Sequence, residues 1–469
     1  MRVLFVQDDI FRSQGVMILS ALLKQNNHDC DILIQTFHKD LIKEIFEYNP
    51  DVICFSLLTT KYNWFCDIAK MIKKEKDIPI VVGGPHPTFF PEMIEEYFVD
   101  YVCIGEGEFA IKDLLEAIYK NKDTSKIKNI WTKKNGKIIK NDVRKLIEDL
   151  DKLPWPDITL YEKYSYFKNL NVYSIVSGRG CPYNCSFCFN KKYNELYKNK
   201  GKIIRRKSVD QLIKEIKYLI SKNKKINYLI FEDDDFLLAS KNWLKDFFQK
   251  YKSSINLDYG INARANSVNE NSIKYLKKTG CHSIRMGLES ADPYIRESIL
   301  KKQITNEQVI KASKLIKNCG IKLQIYHILG NPTETTEKAL NTYEFSKDIN
   351  PTNCWCSLLH PYPGTEIMDI VKKYGLVDEN IFINFNKSFF KISPLNLQDR
   401  KEIINLQKLF QFGNILRIPR RVMRYLIKLP NNLLYDFIFK ITYGFAIKKM
   451  DNYSWINFIK TSYYSRRYY

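Results

Sequence analysis

Three cysteines in one short loop offer the clearest chemistry in this 469-residue sequence. Cys181, Cys185 and Cys188 follow the spacing Cys-x3-Cys-x2-Cys in a segment that begins with Ser177-Gly-Arg-Gly. The apolar run Val172 to Val176 predicts a strand that opens into this loop, so three thiolates should converge on one small volume. Three soft ligands cannot close a four-coordinate site. An iron–sulfur cluster held by them would therefore keep one iron open for an outside ligand.

Two other interpretations of this loop stay open. A zinc knuckle would need a fourth Cys or His nearby, and none lies between Asn190 and Asp233. Structural thiols or a disulfide are disfavoured, because the sequence enters a strand at its first residues without a secretion signal. The other eight cysteines are interpreted as small core residues, and a second metal site on the last two is not favoured: Cys30, Cys54, Cys66, Cys103, Cys281, Cys319, Cys354 and Cys356.

The composition predicts a folded protein of two or three domains. An apolar fraction of 45% with 14% aromatic residues supports full-sized cores. The longest apolar stretch near the C terminus, Leu433 to Ile447, is interrupted by Asp436 and Lys440, so no membrane span is predicted. We expect a cytoplasmic protein, because a reducing compartment suits both exposed thiols and an oxygen-sensitive cluster.

The excess of positive charge is concentrated at the C-terminal end. The net charge is +22, and residues 401–469 carry thirteen Lys and Arg against three acidic residues. From Arg417 to Lys449, basic and bulky apolar residues alternate at helical spacing. Such helices either pack over a domain with their charged face outward or contact an anionic membrane surface peripherally, at the inner membrane face. Nucleic-acid binding is disfavoured, because no RNA-binding module accompanies the charge.

The first 125 residues alternate predicted strands and helices. Five strands specify a doubly wound parallel sheet, in which ligands bind beyond the carboxyl ends of the strands. The residues at three of those ends are candidate cofactor contacts, although each could be a simple turn residue: Ser56 and Thr59, Gly83 and Gly84, Gly105 and Glu106.

A hairpin and a stiff connector separate this sheet from a second α/β domain. Asn135-Gly136 suits a hairpin turn, and the Pro-rich run from Asp149 to Asp157 marks a boundary. From Asn171 to Gly375, six further strand–helix units predict an incomplete TIM-like barrel. The cysteine loop follows the first of these strands, at the end where barrel enzymes place their chemistry.

The cysteine spacing, with Phe187 before the last cysteine, resembles the radical S-adenosylmethionine (SAM) family. The resemblance implies a [4Fe-4S] cluster whose open iron binds SAM, and an electron donor of the flavodoxin or ferredoxin type. It also implies SAM contacts at later strand ends: Asp233 and Asp234 towards the amino group, Glu289 and Ser290 near the ribose, and Gly330 near the adenine. In that last loop Asn331 and Thr333 depart from the family's more frequent Gly-Leu-Pro-Gly-Glu-Thr. Arg264 could face the SAM carboxylate or a substrate anion, or form a structural salt bridge.

The N-terminal sheet resembles the cobalamin-binding domain that precedes many radical SAM cores. The matching segments are Pro50 to Ser56, Gly83 to Thr88 and Asp100 to Glu108. Cobalamin proteins that bind cobalt through histidine carry Asp-x-His-x-x-Gly after the first strand, whereas the loop here, Gln7 to Gly15, has no histidine. We therefore expect no imidazole from this loop on the cobalt, and we interpret His86 as structural.

Together these features predict a cobalamin-dependent radical SAM enzyme that methylates an unactivated carbon. The resemblance implies that a 5′-deoxyadenosyl radical takes a hydrogen atom from a small-molecule or lipid-linked substrate, which then receives a methyl group from cobalamin. The alternatives are cyclisation or rearrangement with the same cofactors, a radical SAM enzyme with an empty cobalamin-type domain, and a non-catalytic metal-stabilised module. The predicted regions are a cobalamin-binding domain (1–125), a hairpin and connector (126–170), a radical SAM partial barrel (171–375) and a basic helical region (376–469).

Overall fold

The computed structural model describes residues 1–377, 388–430 and 433–465, and the chain forms two compact units. The first unit comprises Met1–Lys168 and Lys192–Arg205, and the second comprises Asn169–Lys191 and Arg206–Tyr469. Each unit is an α/β structure with its own hydrophobic core.

The first unit contains a seven-stranded sheet. Its strands are β1 (Arg2–Gln7), β2 (Asp29–Ile34), β3 (Val52–Ser56), β4 (Ile80–Gly83), β5 (Tyr101–Cys103), β6 (Ile130–Lys134) and β7 (Lys137–Lys140). The order is β2-β1-β3-β4-β5-β6-β7, and the first five strands are parallel. The predicted doubly wound parallel sheet is confirmed. The hairpin at Asn135-Gly136 does not stand apart from it, because β6 pairs antiparallel with β5 and extends the sheet.

Seven helices belong to this unit. They are α1 (Gln14–Gln25), α2 (Leu41–Tyr48), α3 (Tyr62–Glu75), α4 (Pro85–Phe89), α5 (Glu108–Tyr119), α6 (Thr159–Glu162) and α7 (Ser165–Lys168). The side chains of Ser13 and Asp40 cap α1 and α2 by accepting hydrogen bonds from backbone amides of the first turn. The helix α4 begins at Pro85, which suits the first helical position, and a 3₁₀ turn follows it at Pro91–Glu95.

The second unit is built on six parallel strands in chain order. These are β8 (Val172–Ile175), β11 (Tyr228–Phe231), β12 (Asp258–Ala263), β13 (Cys281–Glu289), β14 (Lys322–Leu329) and β15 (Asn353–Leu358). Two short strands, β9 (Gly178–Arg179) and β10 (Arg205–Arg206), lie outside this sheet. A parallel sheet whose neighbours follow chain order is the arrangement of a partial barrel, so the predicted six-stranded core is confirmed.

Helices connect these strands. They are α8 (Phe189–Leu196), α9 (Val209–Lys222), α10 (Lys241–Ser254), α11 (Glu270–Lys278), α12 (Asn306–Asn318), α13 (Thr336–Ile349) and α14 (Glu366–Lys373). Ser208 caps α9, and Thr305 with Gln308 forms a capping box at the start of α12.

The C-terminal region is helical, as predicted. It contains α15 (Arg400–Leu416), α16 (Arg420–Leu426), α17 (Leu433–Asp451) and α18 (Trp455–Ser465). The helix α15 packs against β15 and α13, where Leu406 and Phe410 are fully buried. In the part of the chain that the structure describes, no helix is long and apolar enough to cross a membrane.

Candidate active site

The cysteine loop leaves β8 and is anchored at its centre by a buried serine. The Ser186 amide donates a hydrogen bond to the Leu300 carbonyl oxygen at 2.9 Å, and the Ile367 amide donates to the Ser186 carbonyl oxygen at 2.9 Å. The Cys188 amide donates to the Cys185 carbonyl oxygen at 3.2 Å, which closes a turn between the two cysteines. Hydrogen bonds between backbone groups of the loop and of the segments around Leu300 and Ile367 therefore hold the thiols in position.

The three thiols occupy a partly buried environment. Cys185 is buried, whereas Cys181 and Cys188 are partly exposed. Burial raises the pKa of Cys181 to about 11 and that of Cys188 to about 12. Cys181 and Cys188 are therefore protonated at neutral pH in the free protein, so binding a metal centre must release protons from them.

The donor set of the loop fits an iron–sulfur cluster. It supplies three soft sulfur ligands and no fourth, which leaves one iron of a four-iron cluster without a protein ligand. Across residues 1–377, 388–430 and 433–465, no group of three Cys, His, Asp or Glu side chains is close enough together to bind one metal ion. A cluster places each thiolate on a different iron, so its ligands stand farther apart than those of one ion.

Two neighbouring carboxylates after β11 have different surroundings. Asp233 is buried, and it accepts hydrogen bonds from the Ser177 hydroxyl at 2.9 Å and from Arg206 Nη1 at 3.3 Å. Burial raises the pKa of Asp233, and the Arg206 charge opposes that rise. Asp234 is exposed, and its Oδ1 accepts a hydrogen bond from Asn190 Nδ2 at 2.9 Å. Asp233 therefore anchors the start of the cysteine loop, and Asp234 is the carboxylate that a ligand can reach.

The predicted ribose contacts lie at the end of β13. Glu289 forms an ion pair with Lys302 at 2.7 Å, and both side chains are 7% exposed. A Cβ at Gly287 would stand 2.3 Å from Lys302 Nζ, so glycine leaves room for this pair. Ser290 is fully buried, and its hydroxyl lies 3.4 Å from Thr342 Oγ1. Both roles at the ribose stay predictions, and Glu289 would have to bind SAM while paired with Lys302.

A buried carboxylate holds the loop after β14. Glu334 Oε2 accepts hydrogen bonds from the amides of Gly330 at 2.6 Å and Asn331 at 3.0 Å. Burial raises the pKa of Glu334 to about 7. Thr333 has a φ of +66°, which is strained for a β-branched residue and explains why the family more often has glycine there. A Cβ at Gly330 would lie 2.9 Å from Leu397 Cδ1, so this glycine is covered by protein.

Two further candidates contact the cysteine loop or belong to it. The partly buried Phe187 packs against an apolar cluster that includes Leu300 and Leu359. Arg264 stacks on the Tyr183 ring, 3.6 Å from its centroid, and Arg264 Nη1 lies 3.7 Å from Cys185 Sγ. Arg264 Nε also donates to Asn266 Oδ1 at 3.4 Å and Arg264 Nη2 to the Gln303 carbonyl oxygen at 3.3 Å, so its hydrogen-bond partners among the described residues are not carboxylates.

In the N-terminal unit, hydrogen bonds bring the three predicted loops together. The Leu57 amide donates to the Gly83 carbonyl oxygen at 2.8 Å, and the His86 amide donates to the Leu57 carbonyl oxygen at 3.0 Å. The Gly105 amide donates to Thr88 Oγ1 at 3.0 Å. The loops that follow β3, β4 and β5 thus form one continuous surface at the carboxyl end of the sheet.

Small residues and a neutral histidine shape this surface. Gly84 has a φ of +97°, and a Cβ there would lie 2.9 Å from Leu57 N, so only glycine fits. Ser56 is exposed, whereas Thr59 is buried and its hydroxyl lies 3.2 Å from His86 Nδ1. Burial lowers the pKa of His86 to about 4, so its ring is neutral at physiological pH. These contacts support the structural interpretation of His86.

A tyrosine from the segment Lys192–Arg205 covers the loop after β5. A Cβ at Gly105 would stand 2.0 Å from Tyr197 Oη, and that oxygen accepts a hydrogen bond from the Glu106 amide at 2.9 Å. Glu106 Oε1 pairs with Arg205 at 2.8 Å, and Glu106 Oε2 accepts from the Ile147 amide at 2.9 Å. Glu106 therefore has a structural role in this unit. Its predicted contact with cobalamin stays a prediction.

Several charged or polar residues of these sites were not identified from the sequence. Lys61 pairs with Asp8 at 2.9 Å beneath the loop that lacks the cobalt-binding histidine, and both side chains are buried. Arg206, Lys302 and Tyr197 likewise contact residues far away in the chain. No local pattern indicates such partners, because each depends on how distant loops meet.

Six of the eight remaining cysteines are buried, and Cys66 and Cys319 are partly exposed. Cys354 and Cys356 are buried against α15 in an apolar cluster, and burial raises the pKa of Cys354 to about 12. The interpretation of these residues as core residues agrees with their surroundings.

Comparisons with known proteins identify the family. The B12 binding domain model matches residues 8–115, and the Radical SAM superfamily model matches residues 175–346. An uncharacterized methyltransferase of Pyrococcus horikoshii is 30% identical over 391 residues, which cover 81% of this chain and 82% of the relative. This chain belongs to the cobalamin-dependent radical SAM enzymes. A [4Fe-4S] cluster, SAM and cobalamin are therefore its cofactors, and as a radical SAM enzyme it needs a reductant.

Other known proteins are similar to this chain in sequence or in fold. The anaerobic magnesium-protoporphyrin IX monomethyl ester cyclase of Rubrivivax gelatinosus is 26% identical, covering 89% of this chain and 79% of the relative. The solved structure of OxsB, a cobalamin-dependent SAM radical enzyme, covers 99% of this chain and 79% of its own, with a TM-score of 0.69 and 16% identity. The solved structure of the methyltransferase TsrM of Kitasatospora setae matches 79% of this chain and 76% of its own chain, with a TM-score of 0.65 and 19% identity. The two structures confirm the fold of this radical SAM chain, and the OxsB match extends over its helical C-terminal region.

Proposed function

We propose that this chain methylates an unactivated carbon of a small-molecule substrate by radical SAM chemistry. One observation carries the proposal: three thiols lie in one anchored loop at the carboxyl end of β8, in a chain that also has a B12-binding domain. Methyl transfer is supported by the Pyrococcus relative, whose name is that of a methyltransferase.

The residues around the loop would each have a definite task. Cys181, Cys185 and Cys188 would hold the cluster, and the hydrogen bond between Ser177 and Asp233 would fix the loop against β11. Exposed Asp234 would accept a hydrogen bond from the amino group of SAM. The bound cofactors would supply reductive cleavage of SAM and a methyl donor.

In the N-terminal unit the backbone would do most of the binding. Gly83 and Gly84 lie at the carboxyl end of β4, where the absence of side chains lets a large planar ligand approach the chain closely. Ser56 offers an exposed hydroxyl beside them, and Gly105 lies on the adjacent loop. We propose that these residues contact cobalamin, with no imidazole supplied by the loop after β1.

Anaerobic reconstitution tests the cluster and the chemistry together. Wild-type protein should bind iron and sulfide and convert SAM to 5′-deoxyadenosine under reducing conditions. The Cys185→Ala variant should lose both properties. The matched control is Cys319→Ala, which removes a partly exposed thiol at the end of α12 and should keep them. Wild-type levels of iron, sulfide and 5′-deoxyadenosine in Cys185→Ala would refute the assignment.

Cyclisation or rearrangement without methyl transfer is the second candidate. It is favoured by the cyclase of Rubrivivax gelatinosus, which matches 89% of this chain. Product mass separates the two, because methylation adds one methyl group and rearrangement adds none. A protein purified in the presence of cobalamin that shows no corrinoid absorption would instead indicate an empty N-terminal unit.

We further propose a flavodoxin- or ferredoxin-type protein as the reductant. A lipid-linked substrate and peripheral membrane contact through residues 401–469 are proposed from the basic and aromatic composition of that segment. The cytoplasmic location expected from the sequence stays a prediction.

A further inference from the structure

The helix α17 is apolar on two opposite faces. Its inner face includes Phe439 and Tyr443, which are buried and contact the ring of Phe390. Its outer face carries Leu433, which is 85% exposed, and Phe437, which is 60% exposed. A helix that is apolar all round is normally covered on every side, by a protein core or by lipid. Among the residues that the structure describes, those packed against α17 cover only its inner face.

The helix α18 has its apolar residues on the exposed side and polar residues on the buried side, which is the reverse of a normal surface helix. Its buried positions include the polar residues Asn457 and Ser465. Its exposed positions include Trp455, Ile456 and Ile459, each of which is between 58% and 67% exposed. The apolar side of this helix therefore points away from the protein.

The two apolar sides are continuous. The ring centroids of Phe445 on α17 and Trp455 on α18 lie 6.0 Å apart, and Lys448 Nζ lies 4.1 Å from the Trp455 ring centroid. We define the α17–α18 face as the exposed residues Leu433, Phe437, Ile441, Phe445, Trp455 and Ile459. Contiguous apolar surface of this kind is rare on proteins without a partner there.

The charge around the α17–α18 face is positive. Lys440, Lys449 and Lys460 are exposed on the two helices. The two acidic residues of α17 are already paired: Asp436 with Lys408 at 2.8 Å, and Asp451 with Arg285. The surface therefore presents cations and aromatic rings without an unpaired carboxylate on either helix.

A basic cavity is lined in part by three residues of α17, namely Asp436, Phe439 and Lys440. It has a volume of about 380 Å³ and is lined by three lysines, Lys391, Lys408 and Lys440, together with Asp436 and the rings of Phe390 and Phe439. Because Lys408 is paired with Asp436, the excess positive charge of the cavity comes from Lys391 and Lys440, and this charge suits the phosphate of an anionic lipid headgroup.

We propose that the α17–α18 face docks on the surface of an anionic lipid bilayer. The two helices would lie in the interface, with the aromatic and aliphatic side chains among the acyl chains and the lysines at the level of the phosphates. A second copy of this chain is a poorer occupant, because two such faces would bring their lysines together. This docking does not rest on the methyl-transfer chemistry.

Vesicle flotation tests the proposal on the full chain. Wild-type protein should float with phosphatidylcholine vesicles that contain phosphatidylglycerol, and much less with phosphatidylcholine alone or at high salt. The double variant Phe437→Ser/Ile459→Ser should bind at least about tenfold more weakly, because it removes two inserted side chains. The matched control is Tyr97→Ser/Tyr119→Ser, which alters two similarly exposed rings in the N-terminal unit and should bind like wild type.

Three results would overturn the proposal. The first is a wild-type protein that does not float with anionic vesicles. The second is equal flotation of the double variant. The third is a wild-type protein that forms a stable dimer in sedimentation velocity and does not bind vesicles, while the double variant is a monomer. This result would assign the face to a second copy of the chain. Cleavage of SAM without vesicle binding would reject this docking and leave the enzymatic proposal intact.

Discussion

The buried carboxylate of Glu334 makes a quantitative prediction about stability and pH. Burial raises its pKa from an ordinary value of 4.5 to about 7. Between these two values the unfolded chain is ionised at this position while the folded chain keeps the proton, so the free energy of unfolding falls as pH rises. The raised pKa corresponds to about 3 kcal/mol, all of which is lost above about pH 7.

The Glu334→Gln variant removes this titration. Glutamine keeps the size of the side chain and an oxygen that can accept the hydrogen bonds from the amides of Gly330 and Asn331. The stability difference between variant and wild type should therefore shift by about 3 kcal/mol in favour of the variant from low to high pH. Groups that titrate equally in both proteins cancel in this difference.

Urea unfolding of the full chain without cofactors, at several pH values between about 5 and 8, measures this shift. The control is Glu337→Gln, three residues along the chain in the first turn of α13. Glu337 is exposed, and hydrogen bonding to Arg420 lowers its pKa, so its small contribution should disappear as pH falls. A Glu334→Gln difference that is constant across the pH range would refute the assignment of a protonated buried carboxyl.

Two further predictions concern residues at strand ends. Lys302→Met should lower the free energy of unfolding by about 3–5 kcal/mol in urea titration, because it leaves Glu289 buried without its cation. The control is the neighbouring Lys301→Met, which breaks a more exposed ion pair and should cost less than about 1 kcal/mol in the same titration. Thr333→Gly should raise the free energy of unfolding by up to about 1 kcal/mol, because glycine adopts a positive φ without strain. A lower melting temperature in thermal unfolding would contradict this, because it would mean that the threonine side chain stabilises the protein by more than its strained backbone destabilises it.

Much of the architecture follows from local patterns in the chain. Apolar runs alternate with amphipathic segments, and this periodicity predicts both parallel sheets. The cysteine spacing indicates a cluster ligand set, because three soft donors within eight residues need no tertiary information to be recognised. Parallel strands also place their following loops at one edge, which is why candidates such as Gly83 and Asp234 lie at strand ends in the structure.

The partners of these residues are a matter of tertiary structure. Of the two adjacent aspartates, packing buries Asp233 beneath Arg206 and leaves Asp234 exposed, although both belong to the same acidic run. The Glu106 carboxylate forms an ion pair with Arg205, which is 99 residues away in the chain. The hydropathy of α17 and α18 is visible in the sequence, but only the folded protein decides which side of each helix is covered. Local sequence determines an element and its periodicity, whereas long-range packing determines which face meets water, lipid or another side chain.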